Sequence, residues 1–261
     1  MKTGFSESKL RGESRHIFYA RAPEGAFLFI MERYGKITEK RKREIVLLRG
    51  SGCVYKKCTF CDYHTDRCSD KRENFELNRE VLSRVTGEYG ELEVINSGSV
   101  FELDKDTVFL IKAICREKNI SIVHFESHYL YRDKISALRE SFSDVDLKMK
   151  LGLETFDYDL RENVLKNGIC EKDPVRISEH FDEANFLFGI NGQSVRSMAT
   201  DIETGLALFE RICVNIMCKN STGIKPDSDV INAFLREIYQ KYKNNDRVDI
   251  LINNTDFGVG D

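Results

Sequence analysis

Residues 45–61 read IVLLRGSGCVYKKCTFC, an apolar run that ends at glycine and opens into a polar loop carrying three cysteines. The continuous stretch Ile45–Leu48 has the pattern of a strand covered on both faces, as in a parallel sheet. The same grammar recurs downstream. Residues 74–86 place Leu77, Val81, Leu82 and Val85 on one helical face. LEVINSG (92–98) predicts the next strand, and 105–118 a helix with Val108, Ile111, Ile114 and Cys115 inward. ISIVHFESH (120–128) and KISALRESF (134–142) repeat the pair, as do KMKLGLET (148–155) and DYDLRENVLKNG (157–168). NFLFGING (185–192) precedes a helix through Ile202, Leu206 and Phe209. RICVNIMCK (211–219) precedes a helix over 228–244, and VDILINN (248–254) offers one more strand.

Strict strand–helix alternation implies a parallel sheet with right-handed crossovers, either an open doubly wound sheet or a barrel. GSGC, NSGS, ESH, GLET and GINGQS each follow an apolar stretch. Polar motifs at successive strand C-termini mark the functional face of a barrel-like sheet. Turn chemistry would explain any one of them, but five on one edge favour a site.

The chain has 261 residues, 41% hydrophobic and 32% charged, enough for one barrel-sized core. No apolar run approaches the ~20 residues that span a bilayer. The polar N-terminal stretch lacks a secretory pattern, so a cytoplasmic protein with reduced or metal-bound cysteines is expected. Forty basic against 43 acidic side chains leave a net charge of −3, without the positive field of a nucleic-acid binder. One basic run, KITEKRKRE at 36–44, reads as a solvated segment or as a phosphate or partner contact.

Cys53, Cys58 and Cys61 form C-x4-C-x2-C. A zinc site would recruit His64 or Cys68 as fourth ligand. A redox pair Cys58/Cys61 leaves Cys53 unexplained. Core packing suits Cys115, Cys170, Cys213 and Cys218 but not three cysteines in a polar loop. An iron–sulfur cluster on three thiolates accounts for the number and leaves one iron open.

On these residues the chain resembles the radical S-adenosylmethionine (SAM) superfamily, whose usual signature is C-x3-C-x2-C after the first barrel strand, with an aromatic residue before the last cysteine. Phe60 fills that position, and the first gap is one residue longer here. HFESHYL and the GLET-to-LKNG stretch are similar to the branch containing the elongator catalytic subunit and the radical archaeosine synthase. The resemblance implies an incomplete (β/α)6 barrel in a single domain over 1–261: an N-terminal extension to 44, a core over 45–220, and a closing helix and strand over 221–261. It implies a [4Fe-4S] cluster on Cys53, Cys58 and Cys61 and SAM as cofactor. The SAM contacts it implies are Phe60, the backbone of Ser97, Gly98 and Ser99, and the carboxylates Glu126 and Glu154. The family's acidic residue in the Gly-Gly-Glu-like motif is missing from NSGS, and each glutamate also reads as a helix cap or an ion-pair member.

The activity it implies is that of a lyase freeing a 7-deazaguanine base from a small nucleotide, rather than a tRNA-modifying enzyme. Such a base presents N–H donors to a carboxylate, for which Asp157, Asp249 and Asp256 are candidates, with Asn253 and Asn254 beside the last. Arg132, Arg196 or Lys219 would meet a phosphate. Lys56 and Lys57 would dock an acidic electron donor such as flavodoxin or ferredoxin. No membrane partner is expected.

Overall fold

The computed structural model describes residues 17–21 and 27–252. Strands β1 (Ile17–Arg21) and β2 (Phe27–Met31) pair as a separate antiparallel hairpin. The main sheet has eight strands: β3 (Tyr34–Ile37), β4 (Arg43–Leu48), β5 (Glu91–Asn96), β6 (Ile122–Ser127), β7 (Asp146–Glu154), β8 (Glu183–Phe188), β9 (Arg211–Ile216) and β10 (Val248–Leu251). Their order in the sheet is their order in the chain, with β3 antiparallel on one edge and β4 to β10 parallel. A doubly wound sheet reverses order at a switch point. This one never does, so it curls in one direction, and its edges β3 and β10 do not pair. The result is the expected incomplete barrel, with one parallel strand more than six and an antiparallel strand added.

Helices α1 (Lys71–Leu82), α2 (Lys105–Glu117), α3 (Ile135–Ser141), α4 (Pro174–Ser178), α5 (Val195–Leu208), α6 (Ser228–Phe234) and α7 (Gln240–Tyr242) complete the units. Asp70, Asp104 and Ser194 cap α1, α2 and α5 by accepting backbone N–H bonds. Alternate strand positions such as Leu92, Val94, Phe125, Phe186 and Val214 pack outward with helical Leu82, Ile111 and Ile202 in one core. No described helix is long and apolar enough to cross a membrane.

The other strand face is charged where the strands begin. Arg211 donates to both Glu183 oxygens (3.0 and 2.8 Å) and to Asp249 (2.8 Å). Arg43 meets Glu93 and Asp249, and Lys150 meets Glu93. His124 bridges Glu91 (2.8 Å) and Glu183 (3.1 Å). Removing these ions from water costs several kcal/mol each, and only mutual pairing offsets it. The network plugs the N-terminal end of the barrel and leaves the C-terminal end for a site.

Four expectations change. The basic run at 36–44 is largely consumed internally: Lys36 pairs with Glu88, Arg41 with Glu91, and Arg43 enters the plug. Residues 157–168 form a π-helical turn, Asp159–Val164, rather than an α-helix. Fully buried Arg161 draws the segment tight by donating to the carbonyls of Thr155 (3.0 Å), Ile169 (3.0 Å) and Glu171 (2.6 Å). The last helix also breaks into α6, a π-helical turn over Leu235–Tyr239, and α7. Cys115 and Cys213 are buried as core residues, whereas Cys170 is exposed.

Candidate active site

The loop after β4 reaches the C-terminal rim and is tied down from three sides. Val54 donates its N–H to Glu102 Oε1 (2.7 Å), beside the turn after β5. Thr59 bonds Leu165 through its N–H (2.9 Å) and Val164 through its hydroxyl (2.7 Å). Asn220, beyond β9, donates to the Phe60 carbonyl (2.7 Å), and the Phe60 ring packs on Leu160, Leu165, Leu187, Ile190 and Met217. The longer first cysteine gap is absorbed at Lys56, which adopts φ +51°, a left-handed turn. Tyr55 in the same gap stacks on His128 and donates its hydroxyl to the Lys166 carbonyl (2.9 Å).

Burial and neighbouring negative groups push the Cys58 and Cys61 thiols up, Cys61 to about 12. Glu154 and Cys53 act on both, so these groups share one electrostatic site. Buried thiols of this kind become thiolates only when a cationic centre compensates them. Zn–S bonds of about 2.3 Å would hold sulfurs within roughly 4.6 Å of one another. Among the described residues, no three His, Cys, Asp or Glu side chains converge on a single-ion position. Cys68 is also engaged elsewhere, donating to Glu73 (3.5 Å) and accepting from the Asp70 N–H (3.4 Å) at the start of α1. Three thiols that share one electrostatic site would suit a cluster in which each binds its own iron.

Two carboxylates share this rim. Glu154 ends β7 at φ +70°, a strained value for a non-glycine residue, beside a register shift against β8. Its carboxylate makes no hydrogen bond or ion pair among the described residues. Burial, then the charge of Glu126, pushes it up to about 8. Glu126, also raised by burial, accepts from the Asn185 amide (2.9 Å) and lies 3.9 Å from Lys150. Ser97, Gly98 and Ser99 form the turn above β5. Ser97 bonds the Asp66 carbonyl, and Ser99 donates to Glu102 Oε2 (2.8 Å) and to the Ser127 hydroxyl (3.0 Å). The structure therefore brings Cys53, Cys58, Cys61, Ser97–Ser99, Glu126 and Glu154 to one end of the sheet.

The base- and phosphate-binding candidates do not gather there as a group. Asp157 caps the π-helical turn through the Leu160 N–H (3.1 Å). Asp249 lies in the buried plug, its Oδ2 shared by Arg43 and Arg211. Arg132 lies over the Tyr129 ring (4.7 Å), while Arg196 and Lys219 are exposed after β8 and β9. Asn253, Asn254 and Asp256 lie outside the described residues. Sequence reading passed over Glu102, His128 and Asn167. Glu102 carries a legible signal, since Ser99-x-x-Glu102 is a capping box. A cleft of about 750 Å³ opens beyond β8 and β9, walled by Leu160, Val164, Ile190, Gly192 and Ile224.

No family model matches the chain. Among solved structures it is similar to queuine lyase from Clostridium spiroforme bound to SAM and queuine. The two are 46% identical with a TM-score of 0.84, over 89% of this chain and 100% of that one. Methylornithine synthase shares the fold at 13% identity and a TM-score of 0.52, over 74% of this chain and 61% of its own. An uncharacterised protein of Methanocaldococcus jannaschii is 24% identical over 151 residues, 51% of this chain. The chain spans 41% of the length of that curated relative.

Proposed function

We infer the reaction from one premise: the chain belongs to the queuine lyase family of radical SAM enzymes. On that premise the protein frees queuine from a queuosine-type nucleotide, queuosine 5′-phosphate, using SAM and a [4Fe-4S] cluster on Cys53, Cys58 and Cys61. The observation that carries the reading is the match over the whole of a relative bound to SAM and queuine, together with three cysteines on one loop at the C-terminal rim of this barrel. Cys53, Cys58 and Cys61 would hold such a cluster, which would leave one iron open to SAM and supply the electron for radical chemistry on the substrate.

The chain's own residues bind and orient. Glu154, which has no hydrogen bond or ion pair among the described residues, offers its carboxylate to the cationic end of SAM, beside Cys58 and Cys61, whose thiols it pushes up. The Ser97–Ser99 turn presents backbone polar groups close to Cys53. Phe60 packs on Leu160 and Ile190, which also wall the cleft, and the cleft has room for a nucleoside. Asn185 orients Glu126, which becomes the strand-end acceptor for the N–H edge of the base now that Asp157 and Asp249 are engaged elsewhere. A net charge of −3 favours a small nucleotide over tRNA.

Anaerobic reconstitution followed by reductant, SAM and a panel of modified nucleosides and nucleotides tests this. The expected products, only with queuosine 5′-phosphate, are free queuine and 5′-deoxyadenosine. A loaded protein that forms neither with any member would refute the substrate reading. Cys53→Ser, Cys58→Ser and Cys61→Ser should each lose iron, while Cys68→Ser and Cys170→Ser retain it.

A further inference from the structure

We propose that Glu102 is a positioning residue that locks the Cys53 turn onto the Ser97–Ser99 turn, setting the distance between the cluster thiolate and the backbone that meets SAM. The proposal rests on the reading above. Glu102 is 8% exposed. Its Oε1 accepts from the Val54 N–H (2.7 Å) and the Tyr131 hydroxyl (3.1 Å), and its Oε2 from the Ser99 N–H (2.8 Å). Its backbone carbonyl accepts from the Ser51 N–H (3.3 Å). A capping role explains only the Ser99 bond. Val54 and Tyr131 lie 48 and 29 residues away.

Gly98 shows how tight the junction is. A Cβ there would overlap the Glu102 carboxylate and lie 3.0 Å from Cys53 Cα and 3.1 Å from its N. The two turns are thus in backbone contact, and the carboxylate fills the space glycine leaves. A carboxylate accepts both N–H groups at once, as charge-assisted bonds. A glutamine has one acceptor oxygen, and its NH2 would confront the other N–H. Glu102, three positions after Ser99, aims its carboxylate at the cysteine loop.

The test uses Glu102→Gln and Gly98→Ala, the second of which displaces the carboxylate without removing it. In cluster-free protein, the Val54 and Ser99 amides should exchange hydrogen faster in both variants than in the parent chain. In reconstituted protein, both should hold parental iron. SAM should bind about tenfold or more weakly, and the SAM-induced change in the reduced cluster's electron paramagnetic resonance spectrum should shrink. Unchanged exchange at both amides, or unchanged SAM affinity, would overturn the proposal. So would lower iron and melting temperature with SAM affinity intact, which is the signature of a cap alone. If the parent chain itself neither holds iron nor binds SAM, the functional reading fails, while the amide exchange still judges the clamp.

Discussion

Tyr55 lies against His128 with ring centroids 4.5 Å apart and planes 26° from parallel. The contact joins the extra-long cysteine gap to the end of β6. His128 Nδ1 accepts the Leu130 N–H (3.0 Å), so its proton sits on Nε2 and is donated to the Asn167 carbonyl (2.8 Å). Burial lowers the His128 pKa, which keeps the ring neutral. The Asn167 amide in turn donates to Gly152 (2.9 Å) and Leu153 (3.1 Å), and its oxygen faces Cys58 Sγ at 3.9 Å. A stacked pair thereby supports the loop where it departs from the common spacing.

Gly168 makes that stack possible. It sits at φ +80°, and a Cβ there would run into the Tyr55 ring. Gly168→Ala should cost about 1–3 kcal/mol from backbone strain and overpacking. Tyr55→Phe keeps the stack and loses one hydrogen bond, for about 0.5–1.5 kcal/mol. Thermal and denaturant unfolding of the two variants should show that order.

Glu154 should make SAM binding pH-dependent. With the carboxyl raised to about 8, it is mostly protonated at pH 7 in the free protein. A cation binds the ionised form, so affinity should climb as pH rises from 7 towards 9, by up to about tenfold per unit below the pKa. Glu154→Gln should bind more weakly and lose that slope, read by SAM titration of the anaerobic enzyme.

The buried plug should govern acid stability. Glu91, Glu93 and Glu183 are held below the usual carboxylate range, opposed by burial and outweighed by His124, Arg43, Lys150 and Arg211. A depressed folded-state pKa gives stability that is complete above the unfolded value, about 4.5, and is lost as pH falls through the folded one. Unfolding should therefore begin below about pH 4.5. Arg211→Met takes the bidentate partner from Glu183 and one of two cations from Asp249, should cost about 3–5 kcal/mol, and should move the acid transition upward. Circular dichroism across pH measures both.

Lys56, Lys57 and Lys166 are exposed, and none joins an ion pair among the described residues. They flank Tyr55 beside exposed Val54 and Val164. Reversing all three to Glu should slow turnover driven by flavodoxin and leave dithionite-driven turnover unchanged. Rising salt should slow the parental flavodoxin reaction as well. A flavodoxin rate indifferent to both would remove the docking role.

Sequence periodicity determined the parallel strand–helix units, because an apolar run or a helical face is written in neighbouring residues. It also determined the cysteine cluster, whose spacing is local. Even β10 is visible in Val248–Leu251. Only the tertiary structure decided which charges are available for chemistry. Asp249 looks like a free acceptor in the chain and is claimed by Arg43 and Arg211, 206 and 38 residues away. Asp157 is claimed by its own turn, Glu154 has no partner among the described residues, and Glu102 reaches the first cysteine's neighbour across 48 residues. Curling the sheet brings the strand ends together, and burial then forces every polar group there to find a partner or wait for a ligand.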